Sequence, residues 1–352
     1  MSTYLRYLLL PFSLCYGLVT MVRNKLFDLG IFKSVKFDLP VICVGNLVVG
    51  GSGKTPVTEY LVNLLPGKRI AILSRGYGRE TKGFILADAA STAKSIGDEP
   101  LQYFHKFNHV TVAVCEDRTT GINLLKDDHD VILLDDAFQH RKVKAGLYIL
   151  LFDYATFFKP QFLLPAGNLR ESFSGFKRAN LIVITKSPEP VEARHNLAIR
   201  NKFADGPHPE VFFSQISYDT LKPVFANAHL PSALKSGSRI YLLTGIANPK
   251  PLLTFLEQQE VEVVHHKFPD HYPFKISDIS KLAMDFNADP AADKLIITTE
   301  KDAQRLLDAP IKELLLNLPI FYLPIQVVIT EEGRQTFDQK ILNYVSSTTR
   351  DR

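Results

Sequence analysis

The 352-residue sequence has little cysteine and little net charge. Its three cysteines, Cys15, Cys43 and Cys115, are odd in number and are not spaced like metal ligands or redox pairs, which argues against a disulfide framework and favours a reducing compartment. The formal net charge is only +4, and no long basic run carries interleaved aromatic residues. We therefore expect no nucleic-acid partner. The length fits two domains, or one large domain with an appendage.

The sequence also lacks an apolar run long enough to cross a membrane. The uncharged segment YLLLPFSLCYGLVTMV between Arg6 and Arg23 spans 16 residues, whereas a membrane-spanning helix needs roughly 20. Residues 1 to 40 carry five basic side chains and two acidic ones. We predict that residues 1–36 form an anchor that lies on an anionic membrane surface or inserts into it shallowly. A secretory signal peptide and a buried core helix are the alternatives.

Beyond Leu39, short apolar runs alternate with segments of helical periodicity. The runs are VICVG, RIAILS, VTVAV, VILLDD, LYILLFD and LIVIT. Continuous apolar strands of this kind are buried on both faces, which predicts a parallel sheet covered by helices and therefore an α/β fold. After a polar stretch around residues 206–238, a second alternation up to about residue 330 predicts a smaller α/β lobe.

The segment VGNLVVGGSGKTP joins the first of these strands to a predicted helix. It follows the phosphate-binding pattern G-x-x-x-x-G-K-[ST], except that Val48 stands at the first glycine. In such a loop backbone N–H groups turn toward an anion, the lysine contacts the β- and γ-phosphates, and the hydroxyl binds Mg²⁺. The predicted nucleotide-binding residues are Val48, Val49, Gly50, Gly51, Ser52, Gly53, Lys54 and Thr55. The alternative is a glycine-rich turn that binds nothing.

Two further segments bear on the choice of nucleotide and metal. VILLDDAFQHR ends an apolar strand with Asp135 and Asp136, where P-loop enzymes hold the Mg²⁺ shell; a polar strand end is the alternative. LIVITKSP has Pro188 where many GTP-binding proteins carry, in N/T-K-x-D, the aspartate that recognises guanine. Together the two segments predict ATP rather than GTP, with Mg²⁺.

Four weaker motifs carry charged residues outside the loop. They are SRGYGR (Arg75, Arg79), NLRES (Arg170, Glu171), SIGDEP (Asp98, Glu99) and FPDHYPF (Asp270, His271). The arginines suit phosphate charge, although a solvated basic loop fits nearly as well. A carboxylate beside a histidine can deprotonate a hydroxyl group, since histidine titrates near neutrality and the acid fixes its orientation. By spacing alone, a helix cap for Asp98 and a surface position for His271 are favoured.

The ordered set of motifs closely resembles the tetraacyldisaccharide 4'-kinase family, the lipid A kinases of Gram-negative bacteria. The resemblance covers nearly the whole chain: the apolar N-terminal segment is followed by VGNLVVGGSGKTP, SRGYGR, GDEP, DDAFQHR, LLPAGNLRES, ITKS, FPDHYPF and TTEKDAQRL. A residue other than glycine at the Val48 position is typical of this family. The predicted organisation is a membrane anchor (1–36), a P-loop kinase core (37–205), a hairpin-like linker (206–238) and a C-terminal α/β lobe (239–352).

The resemblance implies ATP-dependent phosphorylation of the 4'-hydroxyl of tetraacyldisaccharide 1-phosphate to lipid IVA at the cytoplasmic face of the inner membrane, with no obligate protein partner. It also implies roles for the motifs. The catalytic residues would be Asp98 and His271, which activate the sugar hydroxyl, with Lys54 and Arg75, which stabilise phosphoryl charge; Thr55, Asp135 and Asp136 would hold Mg²⁺, and Glu99, Gln139, His140, Arg170 and Glu171 would line the cleft. Because His271 lies in the second lobe, the lobes are expected to close to bring it to Asp98.

Two other functions fit parts of the pattern. A membrane-associated P-loop ATPase or GTPase of the metal-chaperone kind would need cysteine or histidine spacing that the sequence lacks. A lipid-surface binding protein would keep the loop without catalysis, but Lys54, Thr55 and the aspartate pair are all intact.

Overall fold

The protein consists of two β-sheets with packed helices, described by a computed structural model over residues 6–205, 209–225 and 234–349. In chain order the strands are β1 (Val41–Asn46), β2 (Ile70–Ser74), β3 (Ile85–Leu86), β4 (Thr111–Val114), β5 (Val131–Asp135), β6 (Leu147–Asp153), β7 (Leu181–Thr185), β8 (Glu210–Tyr218), β9 (Lys222–Pro223), β10 (Arg239–Thr244), β11 (Glu262–Lys267), β12 (Lys294–Thr299), β13 (Ile320–Leu323) and β14 (Ile325–Ile329). The helices are α1 (Leu10–Asp28), α2 (Lys54–Leu64), α3 (Ala93–Ile96), α4 (Asp98–Lys106), α5 (Arg118–Leu125), α6 (Tyr154–Phe157), α7 (Ala193–Lys202), α8 (Lys250–Gln258), α9 (Ile276–Ala288), α10 (Glu300–Arg305), α11 (Ala309–Leu315) and α12 (Glu331–Thr349), with a 3₁₀ turn at Phe173–Arg178.

The larger sheet has the strand order β14-β8-β7-β6-β1-β5-β2-β4-β3. All six residues of the central strand β1 are buried, and it pairs in parallel with β5 and β6. Alternate side chains pack on opposite faces: Cys43 lies in one apolar cluster with Leu134, and Val44 lies in another with Leu133. A strand covered on both faces has to be apolar throughout, which is why these runs do not alternate. The predicted α/β fold with a parallel sheet is confirmed.

The smaller sheet has the order β11-β10-β12-β13-β9 and forms the second lobe. Strands β10 to β13 are parallel, and β9 pairs antiparallel with β13 at the edge. Helix α9 buries Ile279, Leu282 and Phe286 against this sheet. Because ligand sites of parallel sheets form at the carboxyl ends of the strands, the segment after β12 is well placed to serve a site.

A two-stranded ribbon connects the lobes. Strand β8 pairs in parallel with β7 and antiparallel with β14, while β9 pairs antiparallel with β13. The structure thus differs from the predicted boundaries, because β8 lies within the predicted linker 206–238 yet belongs to the larger sheet. Residues 206–208 and 226–233 of that linker lie outside the described part of the chain. An apolar strand pattern does not reveal its partner, so the sequence could not assign β8.

The C-terminal residues also differ from the predicted second lobe. After Pro324 the chain returns to the larger sheet as β14, and helix α12 follows. Phe337 and Ile341 of α12 pack in the same apolar cluster as Val57 and Leu61 of α2. The first lobe is therefore completed by residues from both ends of the chain.

The interface between the lobes contains a buried group of charged side chains. Lys106, the last residue of α4, donates hydrogen bonds to Glu59 Oε2 of α2 (2.8 Å) and to Glu300 Oε2 of α10 (2.9 Å). Gln102 donates to the other oxygen of Glu59 (2.8 Å). Burial raises the pKa of Glu59, and the nearby charge of Lys106 opposes that rise. One ammonium group thus bridges two carboxylates that belong to different lobes.

We predict that Lys106→Met destabilises the protein, because it leaves two buried carboxylates facing each other with no cation between them. Removing one partner from a buried ion pair costs about 3 kcal/mol or more. Urea unfolding followed by circular dichroism measures this loss. Lys94→Met is the matched control, since Lys94 is exposed on the short helix α3. Equal unfolding midpoints for the two variants would contradict the prediction.

Candidate active site

The loop after β1 has the backbone geometry of an anion site. Gly50 (φ +116°) and Gly53 (φ +81°) have positive φ angles that favour glycine, and Gly53 is the N-cap of α2, so Lys54 and Thr55 open the helix. The first backbone N–H groups of a helix have no partner within it. Two residues at the end of β7 fix the loop: Thr185 Oγ1 donates to the Ser52 carbonyl (2.9 Å), and Lys186 Nζ donates to the Gly51 carbonyl. The carbonyls are thus engaged while the helix N-terminus remains available for a negative charge.

Val48 lies where the loop pairs with a second segment of the chain. It forms an antiparallel bridge with Leu169, and the neighbouring Val49 N–H donates to the Asn168 carbonyl (2.8 Å). The Val48 side chain packs against the apolar cluster beneath the sheet, whereas Val49 is exposed. The residue is extended rather than left-handed, so glycine is not required at this position.

The two aspartates at the end of β5 have different environments. Asp135 is buried, and its Oδ1 has no hydrogen-bond partner within the described residues. Burial and then the charge of Asp136 raise the pKa of Asp135 to about 7. Such an orphaned carboxylate oxygen is what a bound cation would satisfy.

Asp136, by contrast, is already paired. Both of its oxygens accept hydrogen bonds from the Arg170 guanidinium (2.8 and 3.0 Å), and Lys54 Nζ lies 3.7 Å from Oδ2. Burial raises the pKa of Asp136, but the charges of Lys54 and Arg170 outweigh it, so the net shift is downward. The loop lysine, the aspartate pair and Arg170 therefore form one connected group.

Asp98 and His271 meet across the two lobes. His271 Nδ1 lies 3.1 Å from Asp98 Oδ2. Asp98 is buried in the first turn of α4, while His271 has a positive φ angle (57°) in the loop after β11. Burial raises the pKa of Asp98, but the hydrogen bonds from His271 and Arg305 outweigh it and bring the pKa to about 2. In this structure the two side chains are in contact, and the expected closing motion of the lobes stays a prediction.

Two basic residues at this contact were not identified from the sequence. Arg305 donates to Asp98 Oδ2 through Nε (3.0 Å) and Nη2, and Lys301 Nζ lies 2.9 Å from His271 Nε2 and 2.8 Å from Glu99 Oε1. Both lie on α10, four residues apart in TTEKDAQRL. That spacing puts both side chains on one face of the helix, which is the only indication of a shared role that the sequence offered. The motif does not indicate which residues this face contacts.

Other predicted cleft residues are engaged within the protein. Glu171 is buried and accepts hydrogen bonds from Gln139 (3.0 Å) and Arg178 (2.8 Å). Burial and the charge of Arg118 lower the pKa of His140 to about 4, which keeps its ring neutral at pH 7. Arg75 is different: it is exposed directly after β2, and its guanidinium has no hydrogen-bond or ion-pair partner within the described residues.

In SRGYGR, Arg79 has a structural position. Its side chain is almost fully buried and donates to Glu116 Oε1 (2.6 Å) and to the Gly83 carbonyl (2.7 Å). These bonds hold the loop after β2 against the segment that follows β4. Of the two arginines in this motif, the exposed Arg75 is therefore the one available for a phosphate.

Helix α1 docks directly on these loops. Tyr16 OH donates to the Arg170 carbonyl (2.8 Å), and Asn24 Nδ2 donates to Glu171 Oε2 (2.9 Å). Gly17 permits the close approach, since a Cβ atom there would lie 2.6 Å from Leu163 Cδ1. Only Ser13 of this helix is buried, which excludes the alternative of a core helix. Within the described residues, no helix combines the length and apolar character needed to cross a membrane.

These features together define a class of enzyme. A phosphate-binding loop, an aspartate pair on the strand beside it and an acid–histidine pair between two lobes fit an enzyme that transfers a phosphoryl group. A family model described as tetraacyldisaccharide-1-P 4'-kinase matches residues 5–345, and the chain belongs to this family. The resemblance found in the motifs is confirmed.

Relatives match over nearly the full length. The chain is 44% identical to a tetraacyldisaccharide 4'-kinase of Bacteroides thetaiotaomicron, covering 97% of this chain and 94% of that protein. It is 46% identical to one of Flavobacterium johnsoniae, covering 97% of each. A crystal structure of LpxK from Aquifex aeolicus in complex with ATP superposes with a TM-score of 0.75 at 32% identity, covering 97% of this chain and 99% of that one.

We predict that Val48→Gly, which restores the general P-loop pattern, weakens nucleotide binding. The substitution removes a packed side chain and adds backbone freedom worth about 0.5–1 kcal/mol, which binding then has to restrict, so we expect roughly two- to fivefold weaker affinity. Titration with a fluorescent adenine nucleotide measures the change. Val48→Ala, which keeps the backbone restriction, is expected to lose less. Affinity equal to or better than that of the unaltered protein would overturn this account of Val48.

Proposed function

We propose that this chain transfers the γ-phosphate of ATP to the 4'-hydroxyl of tetraacyldisaccharide 1-phosphate, forming lipid IVA. The observation that carries the proposal is the contact between Asp98 and His271 across the lobes, in a chain that belongs to this kinase family. An acid–histidine pair can deprotonate an acceptor hydroxyl. A simple ATPase, which acts on water, does not need such a pair between two lobes.

The choice of ATP rests on the loop and on a relative. The Aquifex aeolicus structure is described as a complex with ATP, and it covers nearly all of this chain. The N/T-K-x-D aspartate is absent, since Pro188 follows Ser187. The only lysine of that segment, Lys186, is engaged with the Gly51 carbonyl and with Asp153 Oδ2 (2.8 Å), so it supports the loop.

Thr55 and Asp135 are the residues that fit Mg²⁺ best. Asp135 offers a carboxylate oxygen with no partner in the described part of the chain, whereas both oxygens of Asp136 are held by Arg170. Within the described residues, no group of three histidine, cysteine or acidic side chains could hold a metal ion alone. This fits a magnesium ion that is bound by one or two protein groups together with phosphate oxygens and water. When bound, such an ion offsets the negative charge of the phosphates.

The protein groups then have separate tasks. Lys54 and the exposed Arg75 stabilise charge on the transferring phosphoryl group. Asp98, a carboxylate at neutral pH because its pKa is about 2, accepts the Nδ1–H of His271 and fixes the ring. Nε2 of His271 is then the atom that takes the proton of the sugar hydroxyl. Arg170 keeps Asp136 ionised, and Gln139 and Glu171 hold the loop that carries Arg170.

We also propose that α1 rests on the cytoplasmic face of the inner membrane. Its outward surface is apolar, with Leu14, Leu18 and Val19 each more than half exposed. Exposed apolar side chains on a helix that also carries basic residues suit the interface of an anionic bilayer. The other face of α1 contacts Arg170 and Glu171, so a lipid held at this interface lies beside the proposed site.

A metal-chaperone ATPase or GTPase is not favoured, because full-length relatives of this chain are named tetraacyldisaccharide 4'-kinases. The two functions differ in product. An ATPase releases inorganic phosphate, whereas the kinase adds phosphate to the disaccharide lipid.

The function is tested with ATP, Mg²⁺ and detergent-dispersed tetraacyldisaccharide 1-phosphate. We predict a lipid product with one more phosphate, detected by mass spectrometry. His271→Ala is expected to lower kcat by about 10²-fold or more and to leave ATP affinity almost unchanged, because the imidazole acts on the acceptor. His195→Ala is the control, since His195 contacts Tyr154 and no proposed site residue. ATP consumed without lipid phosphate, or full turnover by His271→Ala, would refute the proposal.

Membrane attachment makes a separate prediction. Replacing Leu14 and Leu18 together by glutamate is expected to weaken binding to vesicles of phosphatidylethanolamine and phosphatidylglycerol by more than about tenfold, since burying each leucine contributes roughly 1.5–3 kcal/mol. Vesicle flotation measures the bound fraction. Met284→Glu, at an equally exposed apolar residue of the second lobe, is the control. Unchanged flotation of the double variant would exclude α1 as the membrane contact.

A further inference from the structure

Lys301 contacts Nε2 of His271, the ring nitrogen that has to be free to accept a proton from the substrate. Its ammonium group lies 2.9 Å from Nε2, while Nδ1 on the other side of the ring lies 3.1 Å from Asp98 Oδ2. The Lys301 side chain is mostly buried at the start of α10. Both ring nitrogens of His271 are therefore engaged, one by an anion and the other by a cation.

This arrangement determines the protonation state of the ring. A lysine ammonium has three donors and no acceptor, so His271 Nε2 can only accept from it. Nε2 therefore carries no proton, and Nδ1 carries the proton that is donated to Asp98. A general base needs a lone pair on the nitrogen that faces the substrate. Lys301 thus selects the tautomer and the charge that the reaction requires.

The surrounding charges show why such a selection is needed. Three carboxylates face His271: Asp98 at 3.1 Å, Glu99 at 3.9 Å from Nε2 and Asp270 at 4.0 Å from Nε2. Nearby carboxylates favour the imidazolium form, which cannot accept a proton. The opposing cations are Lys301 and, through Asp98, Arg305. The Tyr77 ring also lies beside His271, with the two ring centres 5.3 Å apart.

We propose that Lys301 is a positioning residue that keeps His271 neutral with its lone pair on Nε2, and that the acceptor hydroxyl replaces the ammonium group there. This inference rests on the proposed kinase function. Glu99 Oε1, 2.8 Å from Nζ, retains Lys301 when it leaves the ring. The hydroxyl O–H bond then breaks with its proton passing to Nε2, the oxygen forms the new bond to the γ-phosphorus, and the electrons of the broken P–O bond leave with ADP.

One turn of α10 supplies the two basic residues that contact Asp98 and His271. Lys301 contacts His271, and Arg305, four residues later on the same face of α10, contacts Asp98. Helix α10 follows directly from β12, so its orientation is fixed by the sheet of the second lobe. The helix therefore sets the geometry of a pair whose members come from different lobes.

The test compares Lys301→Met, Lys301→Arg and Glu99→Gln by the pH dependence of kcat and kcat/KM with the full-length protein. Without the ammonium group, the three carboxylates favour imidazolium, so the acid limb of the Lys301→Met profile is expected to move up by about one pH unit, with activity recovering at high pH. Lys301→Arg keeps the charge and is expected to keep the limb. Glu99→Gln removes a carboxylate and is expected to move the limb down.

A second readout does not depend on activity. Histidine ring nitrogen chemical shifts report the protonated fraction of His271 in the full-length variants, and this fraction at pH 7 is expected to be higher in Lys301→Met. A Lys301→Met profile lowered by one factor at every pH, or a protonated fraction equal to or below that of the unaltered protein, overturns the role of Lys301. Absence of lipid phosphorylation by the unaltered protein would instead refute the proposed function, and the nitrogen shifts would still decide the protonation claim.

Discussion

The proposed site depends on one buried carboxylate that belongs to the first lobe and is held by the second. Asp98 Oδ2 accepts hydrogen bonds from His271 and from Arg305, and both of these residues follow strands of the smaller sheet. A buried carboxylate is costly unless cations and donors surround it, so an ionised Asp98 favours the state in which the two lobes are in contact. The same contact that joins the lobes therefore also orients the histidine.

The interface repeats this arrangement at a second place. Lys106 joins Glu59 of the loop helix to Glu300, the residue before Lys301. Glu59 lies one turn after the phosphate-binding loop, and Glu300 begins the helix that supports Asp98 and His271. Polar interfaces of this kind are less permanent than apolar ones, because water can replace each bond when the surfaces separate. Such an interface fits the expected opening and closing of the lobes around a substrate.

The N-terminal helix links an exposed apolar surface to the same network of contacts. Its apolar face is exposed, while Tyr16 and Asn24 on the other face bind the segment that carries Arg170 and Glu171. Arg170 in turn holds Asp136 through both of its oxygens. A chain of hydrogen bonds thus runs from the surface proposed to meet lipid to the aspartate pair proposed to face the nucleotide. If the proposed membrane contact of this helix holds, the same hydrogen bonds place the acceptor lipid near the phosphate donor.

The sequence by itself determined those structural elements that depend on interactions between residues close together in the chain. A glycine-rich turn between an apolar strand and a helix predicts the loop at Gly50 to Lys54, and a run of apolar residues ending in Asp135 predicts the neighbouring strand, because burial and φ angles act over a few residues. Contacts between distant segments were decided only by the tertiary structure. The sequence did not distinguish Asp135, whose Oδ1 has no hydrogen-bond partner among the described residues, from Asp136, which is paired with Arg170. It also did not reveal that Lys301 meets His271. Those environments arise where strands that are distant in sequence end side by side. A linear pattern does not show which strands become neighbours.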